Sequence, residues 1–287
     1  MSVKYLGYRL IERMSGCLPQ RCLYRCAEQL ADVTWRCSAR DRAAVQANLS
    51  LALGAPVLGR SFLARDVFRN FGRYLIEFFS VHRVPQPDVQ VEGYDHLTDA
   101  QRPGRGTIVL TAHVGNWEVG AVLIHRMGFP IAPVALPHDD PKMDRLFNEQ
   151  RTRCGITVIP VGAHAARYSL QHLREGYLLG LLGDQDFSGN GQTVSFNGRE
   201  VILPRGPALL SLWSQAPIVP TFLIREGDWK FRLCFEQPLW PRAGTVDDAS
   251  VRGVVQSYVT VLERYLRRFA SQWLLFRPIP EARGTPP

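Results

Sequence analysis

The sequence predicts an α/β protein with a mixed central sheet flanked by helices and an N-terminal helical subdomain. Three observations predict it. Up to Phe79 the hydrophobic spacing is helical. From Val89 onward, short apolar runs alternate with amphipathic segments, the pattern of a layered sheet. The late runs Thr193–Phe196, Ile218–Ile224 and Phe231–Phe235 have hairpin-like links, which makes the sheet mixed. Pro85-Gln86-Pro87 separates the two parts, giving 1–84 as the helical region and 85–287 as the α/β core.

The elements follow in order. Tyr5, Leu6, Leu10, Ile11, Met14 and Leu18 recur at helical spacing, with Lys4, Arg9 and Arg13 on other faces, and Pro19 ends the segment. Such a basic amphipathic helix can lie in a membrane interface or cover the core of its own domain, and the sequence leaves both open. Further helices are expected over Arg21–Cys37 and Arg40–Leu53, the latter ending before Gly54-Ala55-Pro56. Ser61 opens a fourth, whose stripe of Phe68, Phe71, Tyr74, Leu75, Phe78 and Phe79 reads as core and is rich enough to line an apolar pocket. Strands are expected at Val89–Val91, Thr107–Leu110, Ile131–Ala135, Ile156–Ile159 and Leu178–Leu182. Helices over Val119–Met127, Met143–Cys154 and Ala165–Glu175 lie between them. A last long helix is expected over Asp247–Phe269, and the tail after Pro278 is expected to be disordered.

The net charge of +8, carried far more by arginine than lysine, points to anionic partners such as a membrane surface or an acidic carrier protein. No nucleic-acid recognition motif accompanies it, so nucleic acid is not an expected partner. Cys17, Cys22, Cys26, Cys37, Cys154 and Cys234 lack C-x-x-C spacing and neighbouring histidines, and read as reduced thiols rather than a zinc site. No signal peptide is expected, because Lys4, Arg9, Glu12 and Arg13 interrupt the would-be apolar core. The uncharged run Gly206–Ile224 is long enough to span a bilayer. Pro207, Pro217 and Pro220 break it, however, so a helix followed by a buried strand is expected.

The chemistry concentrates in Leu110-Thr111-Ala112-His113-Val114-Gly115-Asn116-Trp117-Glu118. A buried strand delivers His113, Gly115 makes the bend, and Asn116 caps the following helix. On one continuous helix His113 and Glu118 would point about 140° apart. The bend lifts that restriction, so Glu118 in the first turn is expected to reach back and hold the imidazole in one tautomer as a general base. Gly183-Asp184-Gln185-Asp186 follows another apolar strand. It reads as turn chemistry, a polar wall of the cleft, or a D-x-D metal site of the kind found in glycosyltransferases. Arg205, in Leu203-Pro204-Arg205-Gly206, sits at a helix start suited to a phosphate or a substrate carbonyl. Arg151 and Arg153 are second candidates for an anion or a developing oxyanion. There is no G-x-S-x-G elbow, Walker loop, G-x-G-x-x-G after a strand or H-E-x-x-H. Without a serine nucleophile, a base acting directly on an acceptor is the economical mechanism.

At these residues the chain resembles a known family. His113 to Glu118 matches the H-x4-D/E motif of the glycerolipid acyltransferases. The fuller Ala-His-x-Gly-Asn-Trp-Glu form is similar to the bacterial lipid A lauroyl/myristoyl acyltransferases and their relative, the phosphatidylinositol mannoside acyltransferase. Arg40 to Leu49, Arg151 before Gly155, Gly183 to Asp186, Phe196-Asn197-Gly198, Pro204-Arg205-Gly206 and Ala216 to Pro220 extend the likeness. The resemblance implies a glycerolipid acyltransferase-like fold in which His113 is the base on an acceptor hydroxyl and Glu118 orients it. It also implies a contact to oxyanion or substrate from Arg151; Asp184, Asp186 and Arg205 stand beside it as substrate-contact candidates read from their own positions. The implied donor is a fatty acyl thioester on acyl carrier protein or coenzyme A, with no metal and no other cofactor. The implied acceptor is a membrane lipid or glycolipid, and the implied place is the cytoplasmic face of the inner membrane, peripherally bound. Two departures stand out: the usual N-terminal spanning helix is replaced by a short amphipathic segment, and the superfamily's acidic third block lacks its glutamate. The rival readings are a metal-dependent glycosyltransferase using Asp184 and Asp186, and a non-catalytic lipid-binding protein.

Overall fold

The computed structural model describes residues 3–282 apart from 16, 59, 60 and 85. The helical region comprises α1 (Val3–Met14), α2 (Gln20–Cys37), α3 (Ala39–Leu53) and α4 (Phe62–Ser80). Ser38 caps α3 by accepting from the Asp41 N–H, and Gly54 ends it in the left-handed region. The predicted stop at Pro85 lies outside the described residues. The α/β part continues with β1 (Asp88–Glu92), α5 (Tyr94–Gln101), β2 (Thr107–Thr111), α6 (Trp117–Arg126) and β3 (Ile131–Ala135). Next come α7 (Pro141–Arg153), β4 (Ile159–Pro160), α8 (Ala165–Arg174) and β5 (Leu178–Leu182). The chain ends with the hairpin β6 (Gln192–Phe196) and β7 (Arg199–Leu203), α9 (Gly206–Ser214), β8 (Ile218–Gly227), β9 (Lys230–Phe235) and α10 (Asp248–Arg268).

Seven strands form one sheet in the order β1-β9-β8-β2-β5-β3-β4. Every neighbouring pair is parallel except the β8–β9 hairpin, so the expected mixed sheet is found. The β6–β7 hairpin stands apart and packs on α10. β2 lies at the centre, and Ile108 and Leu110 are fully buried beneath α9 and α10 while Val109 faces α6. Burying each such side chain stabilises the fold by roughly 1.5–3 kcal/mol, which is why this strand can hold a functional residue at its end without shifting. The broken apolar run becomes α9 followed by β8, as expected. Among the described residues no helix is long and apolar enough to cross a membrane.

Several sequence expectations change. Thr193–Phe196 pairs with β7, which the sequence did not signal, rather than joining the seven-stranded sheet. The strand expected over Ile156–Ile159 shrinks to Ile159-Pro160 at the sheet edge, where the proline has no N–H to continue the ladder. The eight-residue α5 was not anticipated, because only Leu97 and Ala100 are buried on it and so few apolar positions carry no period. The chain past Pro278 is ordered at least to Ala282. Ile279 is buried, Glu281 bridges Val201, and the Ala282 N–H bonds Glu200 O at 3.0 Å. Residues 283–287 of that tail lie outside the described residues.

The helices of 1–84 share an apolar core with the α/β part. Phe68, Tyr74, Phe78 and Phe79 of α4 cluster with Met143, Leu146 and Phe147 of α7 and with Leu274. On α1, Tyr5, Tyr8 and Ile11 pack into this cluster while Leu6 and Leu10 face outward, so this helix both covers the core and presents an apolar outer face.

Candidate active site

β2 and β5 are parallel neighbours whose last paired residues are Thr111 and Leu182. Two residues beyond this pair, one strand carries His113 and the other Asp184, so the register itself sets the two side chains together at the C-terminal edge of the sheet. His113 Nδ1 lies 2.9 Å from Asp184 Oδ1, and the His113 backbone N–H donates to Asp184 Oδ2 at 2.9 Å. Trp273 Nε1 donates to the same Oδ2 at 2.9 Å. Burial alone would raise the Asp184 carboxyl, but the His113 ring and these donors together hold it below the usual carboxylate range. An ionised Asp184 accepts a hydrogen bond from Nδ1–H and leaves the Nε2 lone pair free. The ring is partly accessible, with its side chain 16% exposed against 1% for Asp184. Trp117 meets it edge-on with centroids 5.0 Å apart, and Tyr74 of α4 stacks on Trp117 at 4.5 Å. The aromatic stripe of α4 therefore reaches the imidazole through one tryptophan.

The bend works as the sequence predicts. Gly115 has φ 67°, and Asn116 caps α6 by accepting from the Val119 N–H. A Cβ on Gly115 would sit 1.9 Å from the Leu223 carbonyl oxygen. Gly115→Ala is therefore expected to cost more than about 2 kcal/mol, combining left-handed strain with a backbone clash. A thermal melt of the purified variant checks this, and an unchanged midpoint would contradict the local geometry.

The carboxylate on the imidazole is thus Asp184, where the sequence reading expected Glu118. Glu118 is buried in the first turn of α6, and both its oxygens accept from Arg151 of α7: Nε to Oε2 at 3.0 Å and Nη2 to Oε1 at 2.5 Å. The physical reason is competition. A fixed guanidinium fork satisfies both carboxylate oxygens in one plane, which a single ring nitrogen cannot do. Burial tends to lower Arg151, but the Glu118 charge outweighs it and pushes the group up. Arg151 also donates to Asn148 Oδ1 at 2.9 Å and lies over the Phe147 ring. It is committed to this pair rather than open to an oxyanion. Arg153, its neighbour on α7, pairs with Glu12 of α1.

Asp186 accepts from the Ser188 N–H and hydroxyl, which is the turn chemistry of its loop. With three donors already on Asp184, the Asp184-Gln185-Asp186 motif does not present two open carboxylates to a cation, which argues against the glycosyltransferase reading. Arg205 precedes α9, its guanidinium 3.8 Å from Asp248 and about one-third exposed. The turn before it accepts from Tyr258 through Pro204 O at 2.5 Å, and the Tyr258 phenol feels the charges of Asp184 and Asp186. The structure therefore unites His113 with Asp184, pairs Glu118 with Arg151, and leaves Asp186 and Arg205 in flanking turns. Sequence reading missed Trp273, more than 150 residues from His113, and nothing local to it signals the contact.

A base of this kind serves reactions that begin by stripping a proton from a weak nucleophile, and its setting on a sheet edge beneath aromatic walls fits a histidine-dependent transferase. Comparison with known proteins narrows the class. The model of the family described as "Bacterial lipid A biosynthesis acyltransferase" matches residues 4–278. A phosphatidylinositol mannoside acyltransferase of Mycolicibacterium smegmatis is 26% identical over 243 residues, covering 80% of this chain and 77% of that protein. The protein of the same name from Mycobacterium tuberculosis is 29% identical over 65% of this chain and 62% of its own length. A lipid A biosynthesis palmitoleoyltransferase of Escherichia coli is 26% identical over 62% of this chain and 60% of its own. The chain belongs to the bacterial lipid A biosynthesis acyltransferase family, and the expected O-acyltransferase class and α/β fold stand.

Proposed function

We propose that this protein transfers a fatty acyl chain from a thioester, on acyl carrier protein or coenzyme A, to a hydroxyl of a membrane glycolipid. The observation that carries the reading is the His113–Asp184 pair, with Nδ1 engaged and the ring set edge-to-face with Trp117. In the reaction, the acceptor hydroxyl donates to His113 Nε2 and its oxygen attacks the thioester carbonyl as the proton passes to the ring. Asp184 stabilises the imidazolium that forms. The start of α6, immediately behind the ring, favours the negative charge on the tetrahedral oxygen. Collapse breaks the carbon–sulfur bond, and the departing thiolate takes the proton from His113. The thioester is the only co-substrate this scheme uses, and no metal enters it. Glu118 contributes by anchoring Arg151 across α6 and α7 rather than by touching the imidazole.

The glycolipid acceptor follows from the relatives' names, which specify phosphatidylinositol mannoside and lipid A. Peripheral association with the anionic cytoplasmic face of the inner membrane is supported by how the first 40 residues sort their charges. Their three acids turn inward: Glu12 pairs with Arg9 and Arg153, Glu28 with Arg73, and Asp32 with Arg65 and Arg69. Arg13, Arg25, Arg36 and Arg40 face outward beside exposed Leu6, Leu10, Leu18, Leu30 and Val33.

The test is mass spectrometry of total membrane lipid after incubation with the purified protein and an isotope-labelled acyl thioester, in separate carrier-protein and coenzyme A arms. One lipid class is expected to gain one labelled acyl mass. No labelled lipid in either arm would overturn the reading.

A further inference from the structure

A second buried charge pair lies beneath the candidate site, outside the reaction described above. Glu77 of α4 is fully buried, and Arg225 of β8 has a side chain only 4% exposed. Arg225 donates to both Glu77 oxygens, through Nε and through Nη2, the latter at 2.9 Å. Tyr24 of α2 donates to Oε1 at 3.1 Å, and Asn116 Nδ2 donates to Oε2 at 2.8 Å. One carboxylate thus collects four donors from one helix, one loop and one strand. Burying such a pair is a poor route to stability, since desolvating both charges offsets most of their attraction. Its connections give it another use.

Both ends of the pair lead to the loop that carries His113. Through Glu77 it holds Asn116, which caps α6 three residues beyond His113. With its Nδ2 donating to Glu77 and, at 3.3 Å, to Tyr74 O, Asn116 can only offer Oδ1 to the Val119 N–H, so the carboxylate and this carbonyl of α4 together decide which way the amide faces. Through Arg225 the pair reaches the strap of residues 270–275. Arg225 Nη1 donates to Asn70 Oδ1 at 2.7 Å, and Asn70 Nδ2 donates to Ser271 O at 2.8 Å. The Gln272 amide brackets the Arg225 backbone, accepting from its N–H at 3.0 Å and donating to its carbonyl at 2.9 Å. That strap closes over the loop: Leu274 N–H donates to His113 O, and Gly115 N–H to Gln272 O. The strap also carries Trp273, which donates to Asp184.

We propose that Glu77 and Arg225 are positioning residues that lock the His113 loop from beneath, by orienting Asn116 and seating the 270–275 strap. The proposal rests on His113 being the working base, and it adds that the base is aimed by a charge pair it never touches. A misplacement of about 1 Å at a reacting group can cost on the order of 10²-fold in rate, so this aim matters.

Asn116→Ser is the decisive variant. Serine caps a helix as well as asparagine does, so α6 keeps its cap while the link to Glu77 is cut. Two measurements follow. The first is kcat and KM for thioester-dependent transfer, where kcat is expected to fall about 10–10²-fold with KM within about twofold. The second needs no turnover: the downfield proton resonance of an imidazole Nδ1–H donated to a carboxylate, sharp in the native protein, is expected to broaden or vanish. A native kcat and resonance in Asn116→Ser would overturn the proposal. If the native protein transfers no acyl chain, the acyl-transfer reading fails by itself, and the resonance alone decides the positioning role.

Discussion

His113→Ala is expected to lower kcat for acyl transfer by about 10²–10⁴-fold, the range contributed by a positioned general base, while KM for the thioester stays near native. The imidazole touches the acceptor proton rather than the acyl chain, so its loss removes an interaction made only as the reaction proceeds. The protein should remain folded. Alanine keeps the backbone N–H of residue 113 on Asp184 Oδ2, and Trp273 still donates to the same oxygen, so the buried carboxylate loses one donor of three. The expected stability loss is about 1–3 kcal/mol, the cost of leaving one buried polar contact unmade. Thermal melting and steady-state transfer with the same preparation check both statements. Undiminished transfer in a folded variant would remove His113 from the chemistry and with it the proposed reaction.

Much of this was legible from residue order. The strand-bend-cap reading of Thr107 to Glu118 holds in detail because each step is local: apolar run, glycine in the left-handed region, asparagine at the cap. Asp184 could have been found as the imidazole's partner by a further local signal. Thr107–Thr111 and Leu178–Leu182 are five-residue apolar strands, each followed by one small residue, Ala112 or Gly183, and then by His113 or Asp184. Two such strands as parallel neighbours in register place those residues side by side. Five residues of separation made Glu118 look nearer, but proximity in sequence says nothing of which competitor a carboxylate meets once the chain folds back. Arg151 is that competitor, 33 residues away.

The Glu77–Arg225 pair was illegible for a different reason. Glu77 sits in the aromatic run of α4 and Arg225 at the far end of an apolar strand, 148 residues apart, and each alone reads as a surface charge. Only the sheet order, which brings β8 beside β2 under α4 and α6, turns them into one buried unit. The charge pattern of the first 40 residues is similar. Composition gives their basic excess, but only packing shows that Glu12, Glu28 and Asp32 turn inward.

Asp184→Asn is expected to have the other large effect, and it separates Asp184 from Glu118 as the partner of the base. Two N–H donors, from the His113 backbone and from Trp273, converge on Oδ2, while His113 Nδ1 alone faces Oδ1. An amide in this place satisfies more donors with its oxygen at the Oδ2 position. Its NH2 then faces Nδ1, which must accept, so the ring proton moves to Nε2 and the base can no longer take one from the acceptor. By analogy with triads in which the same exchange imposes the wrong tautomer, kcat should fall by about 10³–10⁴-fold. Glu118→Gln, which leaves the imidazole's own partner in place, should cost much less. The exchange also has a signature in stability. Asp184 is held below the usual carboxylate range in the folded protein, so in acid the unfolded chain binds more protons than the native one. The stabilisation from its ionised form is complete above about pH 4, the unfolded value, and is lost as pH falls through the lower folded value. The asparagine variant lacks that contribution, so its melting temperature should fall less steeply below pH 4 than that of the native protein. A Glu118→Gln loss equal to or larger than that of Asp184→Asn, with an unchanged acid limb in the latter, would return the imidazole to Glu118 and undo the assignment made from the geometry.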